Sequence, residues 1–285
     1  MSIEEAGYDP DHMRLDLGDA AAVSDRGQRH RTNEDAVALA RSESSVGPIH
    51  VAVVCDGVSS APGSKDASRL AADVAAEVLT RGIAAGEFPG DAGRTREAVI
   101  AAIAAGSDAV GELAAANANA PATTMVVAVV EPIAGGVRVH LGWLGDSRAY
   151  WLPAADNPAG NRPRVLTRDH TVAAEFAAAA SIPADRVDSL PGAHVITRWL
   201  GADARASDPE LDTVDLSGPG LLVVCTDGLW NYFAAPEDLA AAAGPAGIDE
   251  APLEIAEQLT HLANRAGGHD NITVAIIPVG AAQSR

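Results

Sequence analysis

Short apolar runs and longer, helically spaced apolar patterns alternate along this chain. Runs of four to nine apolar or alternating residues are typical of strands. They occur at 34–40, 49–55, 124–130, 136–143, 148–152, 221–226 and 272–279. Apolar residues at helical spacing predict helices over 64–85, 94–116 and 251–266. The last pattern ends at Gly267-Gly268, a typical helix stop.

The order of these elements indicates the fold class. Strands and helices come in groups, without the strict alternation of a parallel βαβ sheet. We therefore predict an α+β fold in which antiparallel sheets are covered by helices. Residues 1–16 are expected to form a flexible leader, 17–280 a single domain and 281–285 a tail. Residues 153–163 are rich in Pro, Asn and Gly and predict a hairpin loop.

Composition narrows the partners and the cellular setting. The chain has 285 residues and a net charge of −19, so it lacks a basic footprint for nucleic acid and would be repelled by an anionic membrane. Cys55 and Cys225 lie inside apolar runs, where cysteines are usually small core residues. Two cysteines make no disulfide framework, and no apolar stretch suits a signal peptide or a membrane span. These features predict a reducing, cytoplasmic location.

Aspartates stand at the ends of several apolar runs. Asp56-Gly57 follows VAVVC, Asp227-Gly228 follows LLVVCT, Asp146 follows WLG, and Asp270 precedes NITV. Asp-Gly is also a common hairpin turn, but the two pairs share a Val-Val-Cys context. Carboxylates gathered at one edge repel each other unless cations lie between them. Oxygen ligands suit Mg²⁺ and Mn²⁺, so the pattern predicts a two-metal phosphate hydrolase.

A basic stretch precedes two further acidic residues. Residues 26–31 contain three arginines and a histidine in an otherwise acidic chain, and Glu34 and Asp35 follow. A solvated turn is the alternative interpretation of residues 33–35. Arginine and protonated histidine are good partners for a phosphate dianion. The stretch therefore predicts a phosphate-binding group beside the metal site.

These residues belong to eight motifs that resemble, in the same order, those of the metal-dependent protein serine/threonine phosphatases of the PPM type, also called type 2C. The resemblance runs from about residue 22 to 279. The motifs are Ser24–Gly27 with Asn33–Ala36, Val54–Gly57, Thr123–Thr124, Leu144–Tyr150, Leu166–Thr171, Ile196–Gly201, Cys225–Trp230 and Asp270–Val274.

The resemblance implies a four-layer α-β-β-α sandwich with a binuclear Mn²⁺ or Mg²⁺ centre between two stacked antiparallel sheets. Asp56 would bridge both ions, and the Gly57 carbonyl would bind one of them. Asp227 and Asp270 would bind the other ion. Glu34 and Asp35 would act mainly through water. Asp146, together with Asp227, would match a weaker third metal site found in bacterial members.

The chemistry implied is attack on phosphorus by a water that two metal ions activate. The expected catalytic residues are Asp56, Asp227 and His30. His30 occupies the position of the family's phosphate-binding arginine, and Arg29 and Arg31 flank it, so these three are the expected phosphate ligands. Val58 follows Asp56-Gly57 where some eukaryotic members have a histidine.

The implied function is hydrolysis of phosphoserine and phosphothreonine in proteins that a serine/threonine kinase has phosphorylated. Two alternatives stay open. A pseudophosphatase would bind partners without chemistry, and it would be expected to lose metal-binding aspartates that this chain keeps. A phosphatase for a small phosphorylated metabolite would use the same metal site.

Overall fold

Two antiparallel β-sheets lie face to face in the computed structural model, which describes residues 11–117, 120–155, 157, 162–204, 208–244 and 251–280. In spatial order, sheet A contains β1 (His12–Asp16), β2 (Ala21–Asp25), β13 (Ile272–Val279), β12 (Gly220–Cys225), β8 (Arg148–Pro153) and β9 (Arg164–Val165). Sheet B contains β11 (Glu210–Ser217), β7 (Gly136–Leu144), β6 (Met125–Ile133), β4 (Gly47–Cys55) and β3 (Ala36–Ser44). The short strands β5 (Ala122–Thr123) and β10 (Leu200–Gly201) pair with each other.

Helices cover the outer face of each sheet. Sheet B is covered by α1 (Ser64–Ala85) and α2 (Ala92–Asn117). Sheet A is covered by α4 (Asp227–Trp230), α5 (Pro236–Ala242) and α6 (Pro252–Ala266). The predicted α+β class and the four-layer α-β-β-α order are therefore confirmed. Between β9 and β10, residues 166–199 form an insert that contains α3 (Val172–Ala180) and a 3-10 helix (Ala184–Ser189).

The apolar strand runs are buried on both faces because each central strand contributes to two cores. In β4, Val53 and Cys55 pack towards α1 and α2, whereas Ala52 and Val54 pack between the two sheets. β12 does the same on the other side, with Leu222 directed between the sheets. This double burial explains why these strands read as continuous apolar runs rather than alternating ones.

The prediction of a flexible leader is wrong at residues 12–16. This segment is β1, which pairs antiparallel with β2 from His12↔Asp25 to Asp16↔Ala21. The physical reason is its alternation, since Met13 and Leu15 pack against the core between the sheets. Residues 1–10 and the predicted tail lie outside the described residues.

The predicted hairpin after β8 fits the pairing of β8 with β9, where Tyr150 lies opposite Val165, although residues 156 and 158–161 are outside the described part. Neither Asp-Gly pair forms a hairpin. Asp56-Gly57 leads into a loop before α1, and Asp227-Gly228 opens α4. Within the described ranges, none of the helices combines the length and apolarity that a bilayer crossing requires.

Candidate metal centre

The sequence-predicted aspartates meet at one edge of the two stacked sheets. On the sheet B side, Asp35 lies just before β3 and Asp56 just after β4, strands that pair through Ala36↔Cys55. On the sheet A side, Asp227 follows β12 and Asp270 precedes β13, strands that pair through Cys225↔Val274. The antiparallel pairing thus brings a strand start beside a strand end in each sheet, as the sequence led us to expect.

One hydrogen bond joins the two sides directly. The Thr226 hydroxyl, next to Asp227, donates to the buried Asp35 carboxylate at 2.9 Å. Asp146 lies in the turn where the chain passes from β7 of sheet B to β8 of sheet A, and it is 5% exposed. The edge therefore collects carboxylates from both sheets and from their connection.

Glycine is required after Asp56 and Asp227 because backbone approaches closely at both places. A Cβ atom at Gly57 would lie 2.5 Å from the carbonyl oxygen of Glu34. A Cβ atom at Gly228 would collide with the carbonyl oxygen of Asn271. In both Asp-Gly pairs, then, the glycine allows a neighbouring acidic segment to pack against the strand end.

Burial, and after it the charges of neighbouring carboxylates, raises the pKa of several aspartates in the cluster. Burial, followed by the charge of Asp270, raises the pKa of Asp227 to about 6. Burial and the charge of Asp227 raise the pKa of Asp146 to about 8. Burial also raises the pKa of Asp56 well above its ordinary range. The charges that add to this effect on Asp56 belong to Asp35, Asp227, Asp146 and Asp270.

One oxygen of this cluster has no partner. When the carboxyls are ionised, the buried Asp227 Oδ1 accepts no hydrogen bond from any of the described residues. Asp56 could donate a hydrogen bond to this oxygen only if its own carboxyl were protonated. The other oxygen, Oδ2, accepts from Asn231 Nδ2 at 3.2 Å. A buried carboxylate oxygen without a donor, among like charges, is the environment that a divalent cation would relieve.

The donor set suits hard cations rather than zinc. Among the described residues, no three His, Cys, Asp or Glu side chains lie close enough together to hold a metal ion by themselves. The two cysteines point into apolar cores and are not available as ligands. An open set of carboxylates is nevertheless what Mg²⁺ and Mn²⁺ accept, because such ions keep several waters and bind few protein groups directly. The residues therefore fit a site for hard divalent ions that water helps to complete.

Neighbouring polar groups fix the orientation of the acidic segment before β3. The Ser64 hydroxyl, at the start of α1, donates to Glu34 Oε1 at 2.7 Å. The Glu34 backbone N–H donates to Asn271 Oδ1 at 2.7 Å. The Asn271 amide in turn donates to the carbonyl of Arg26 at 2.7 Å. Asn271, which the sequence placed beside Asp270, thus ties the Glu34 segment to the basic stretch.

Of the three expected phosphate ligands, His30 contacts the cluster. Its Nε2 lies 3.2 Å from Asp270 Oδ1, and its side chain is 29% exposed. Arg29 and Arg31 flank it and are both exposed, and neither has an ion-pair partner within the described ranges. The structure therefore brings His30 to the carboxylates and leaves the two arginines directed to solvent.

Arg148, Trp230 and the insert form a network that the sequence did not reveal. The buried Arg148 guanidinium donates to both oxygens of Asp169 at 2.9 and 2.7 Å, and to Asp188 at 2.6 Å. It also lies 3.7 Å above the centroid of the Trp230 ring. The Trp230 Nε1–H donates to the Asp146 carbonyl. The insert is thereby attached to the turn that carries Asp146.

His170 and His194, both in the insert, occupy different environments. His170 is buried, and its Nδ1 accepts from the Gly145 N–H at 3.2 Å, so it shapes the turn before Asp146. Burial lowers the pKa of His170. His194 is exposed, and its ring stacks on Trp230 at a centroid distance of 5.7 Å. Only the resemblance of the surrounding motifs could have drawn attention to this segment.

Comparisons with known proteins identify the family of this chain. The sequence model of the family "Protein phosphatase 2C" matches residues 25–246, more than half of the chain. A putative protein phosphatase 2C-type from Streptococcus pyogenes serotype M6 is 30% identical over 146 residues, which are 50% of this chain and 57% of that protein. The chain thus spans about half the length of the curated relatives it matches.

Solved structures show the same architecture. The PPM Ser-Thr phosphatase MsPP from Mycobacterium smegmatis, in complex with cacodylate, superposes with a TM-score of 0.67 at 26% identity, covering 92% of this chain and 99% of that one. The catalytic domain of the serine threonine protein phosphatase PstP, in complex with two manganese ions, gives a TM-score of 0.66 at 23% identity over 91% and 97% of the two chains. At that identity the second likeness concerns the fold alone.

Proposed function

The chain belongs to the protein phosphatase 2C family, and on this basis we propose that it hydrolyses phosphoserine and phosphothreonine esters in proteins with bound Mn²⁺ or Mg²⁺. The observation that carries the proposal is the gathering of carboxylates from both sheets at one edge, with Asp227 Oδ1 left without a donor among the described residues. Such a cluster is stable at neutral pH when divalent cations compensate its charge.

In this proposal Asp56, the Gly57 carbonyl, Asp227 and Asp270 would hold two ions at the edge, and Asp56 would be shared by both. Asp146, together with Asp227, would hold a third and weaker ion. When bound, the ions lower the pKa of a water molecule and balance the negative charge on the phosphate.

The remaining polar residues orient these groups. Glu34 is held by Ser64, and Asp35 is held by Thr226, and both are proposed to act mainly through water at the site. His30, beside Asp270, and one of the exposed arginines Arg29 and Arg31 are proposed to hold the phosphate. Arginine favours a charged, forked contact with phosphate oxygens.

Phosphorylated proteins are the proposed substrates, and a serine/threonine kinase would produce them. MsPP, which is 26% identical to this chain, is a Ser-Thr phosphatase, and this supports the proposed substrate class over a small metabolite. The presence of Asp56, Asp146, Asp227 and Asp270 argues against a pseudophosphatase.

The test is turnover of a phosphothreonine peptide against a panel of sugar phosphates, each with Mn²⁺, with Mg²⁺ and after chelation. We expect metal-dependent hydrolysis of the peptide, with weak activity on the sugar phosphates. Zn²⁺ should substitute poorly because it prefers fewer and softer ligands. Hydrolysis that survives exhaustive chelation would contradict the metal-dependent mechanism, and a preference for sugar phosphates would contradict the proposed substrate class.

A further inference from the structure

The insert places an exposed imidazole at the edge of the carboxylate cluster. The His194 ring stacks on Trp230 with a centroid distance of 5.7 Å and an interplanar angle of 18°. Trp230 is 1% exposed and lies three residues after Asp227 in α4. Its indole N–H donates to the Asp146 carbonyl. The ring that supports His194 is therefore fixed to two of the proposed metal-binding segments.

Electrostatics locate His194 on the Asp227 side of the cluster. Burial and the charge of Asp270 raise the pKa of Asp227, and the nearby imidazole of His194 acts in the opposite direction through its charge. The backbone on either side of His194 is also held. The Val172 N–H donates to the Val195 carbonyl at 2.9 Å, and the Ala193 N–H donates to the Leu190 carbonyl at 3.3 Å.

The ring nitrogens of His194 differ from those of the neighbouring histidines in their hydrogen bonding. His30 Nε2 lies against Asp270. His170 is buried between the Gly145 N–H and Glu210. The orientation of His194 is instead set by stacking, and neither of its ring nitrogens has a hydrogen-bond partner among the described residues. An imidazole that is oriented by its face and open at its edge can meet a substrate.

Hydrolysis of a serine or threonine phosphate needs a proton for the leaving oxygen as well as an attacking water. The leaving oxygen is an alkoxide, a poor leaving group unless it receives a proton as the bond to phosphorus breaks. Histidine is the side chain best suited to give a proton near neutral pH. A positioned acid of this kind typically contributes about 10²–10⁴-fold to the rate.

We propose that His194 is the general acid that protonates the leaving serine or threonine oxygen, a role that rests on the proposed phosphatase function. A water oxygen forms a bond to phosphorus while the ester P–O bond breaks. The electron pair of that bond stays on the seryl or threonyl oxygen, which takes the proton from the His194 imidazolium. The attacking water releases one proton, and His194 regains a proton from solvent. The products are the free hydroxyl and hydrogen phosphate.

A comparison of two leaving groups distinguishes proton donation by His194 from a role in packing alone. Nitrophenolate leaves phosphorus readily without a proton, whereas a threonine alkoxide does not. His194→Phe keeps a ring to stack on Trp230 but has no proton to give. With Mn²⁺ present, we expect its kcat to fall about 100-fold or more on a phosphothreonine peptide and less than about threefold on p-nitrophenyl phosphate. His194→Ala, which also loses the stack, should match His194→Phe on the peptide.

His261→Phe is the matched control, since His261 is an exposed histidine on α6, and both activities should stay at the wild-type level. Tryptophan fluorescence and the melting temperature of each variant report whether the insert is still packed.

An equal fall in kcat on both substrates would show that His194 only supports the insert. No fall in kcat on either substrate would show that His194 takes no part in the reaction. Both results overturn the proposal. A wild-type protein that hydrolyses neither ester with Mn²⁺ would instead refute the proposed function, and this inference would fall with it.

Discussion

The Trp230 indole nitrogen donates a 2.9 Å hydrogen bond to the backbone carbonyl of Asp146. The face of the same indole lies against Arg148, two residues further along the turn. One buried side chain therefore braces both ends of the turn that carries Asp146. Because Arg148 also binds Asp169 and Asp188, the position of Asp146 depends on how the insert is attached.

Replacing Arg148 should loosen the insert. Arg148→Lys keeps the charge but cannot contact both oxygens of Asp169 or lie flat on the indole. Arg148→Met leaves Asp169 buried without its cation, and the expected loss is about 3–5 kcal/mol of unfolding free energy. Denaturant unfolding gives that value, and hydrogen exchange over residues 169–190 should rise in both variants.

The matched control is Arg138→Met. Arg138 makes the same two-oxygen contact with Asp215, at 2.7 and 2.8 Å, but on the surface. Surface pairs of this kind contribute at most about 1 kcal/mol. Equal losses of stability in the two methionine variants would show that burial does not set the importance of Arg148.

Asp56→Asn and Asp227→Asn should each abolish turnover while the fold is kept. Loss of a direct ligand should cost more than the 10–100-fold typical of groups that only support a ligand. Each change also removes one charge from a repelling cluster, so the metal-free variant should melt at or above the temperature of metal-free wild type. The rise in melting temperature on adding Mn²⁺ should shrink, because less binding energy is coupled to folding. Wild-type turnover in either variant would show that its aspartate is not a ligand.

Asp146→Ala should weaken turnover and leave the two tighter ions bound. The proposed third ion has the fewest protein ligands and should be the most easily lost. Calorimetric titration with Mn²⁺ should therefore show unchanged tight sites and no weaker one. If the tight sites disappear in this variant, Asp146 contributes directly to the main centre.

His30→Ala should raise KM for a phosphothreonine peptide by about tenfold or more, the loss expected for one hydrogen bond to a charged group. Because His30 also contacts Asp270 at 3.2 Å, Mn²⁺ affinity has to be measured in the same variant. Unchanged metal binding with a raised KM assigns the phosphate to His30. Arg29→Ala and Arg31→Ala are the parallel variants, and a KM effect in one of these without an effect in His30→Ala would assign the phosphate to that arginine.

Glu131 provides a test of pH dependence away from the metal centre. Burial opposes its ionisation, but the interaction with His140, 3.8 Å away, and a 3.0 Å hydrogen bond from Thr95 outweigh burial and lower the pKa of Glu131. A depressed folded-state pKa contributes stability above the ordinary glutamate value of 4.5, and this contribution is lost as pH falls through the lower folded value.

We therefore expect wild type to be more stable than Glu131→Gln at neutral pH. The difference should narrow as pH falls below 4.5, when the unfolded glutamate already holds its proton. Denaturant unfolding at a series of pH values, with chelator present throughout, measures this difference in the free energy of unfolding. A difference that is constant across this range would show that the charge of Glu131 does not matter.

Elements whose side chains are buried on both faces could be predicted from sequence. The seven predicted strands all occur, and the helix predicted over 64–85 has those bounds. The sequence missed β2 and β11 for different reasons. The Ala-rich β2 has little apolar contrast, and β11 is a sheet edge whose side chains are mostly polar and partly exposed. α3 and α5 are too short for a clear helical period.

The candidate site likewise contains residues whose placement could be predicted from sequence and residues whose contacts could not. The placement of Asp56, Asp227 and Asp270 at one edge could be predicted because each borders an apolar strand, and antiparallel pairing brings such strand ends together. Arg148 and His194 were not found as interacting residues, because their contacts join positions far apart along the chain through an irregular segment. No periodicity marks such contacts, so only the three-dimensional structure reveals them.

The pairing of β2 with β13 has a consequence for synthesis. Ala21–Asp25 lies beside residues 272–276. The backbone of β2 therefore cannot be paired on that side until β13 has been synthesised. Asp270 arrives with that last strand. A growing chain on the ribosome therefore carries the basic stretch and most of the aspartates long before it can assemble them. Closing so long a loop is slow, and under the proposed function the nascent protein stays inactive until residues 270–279 have emerged.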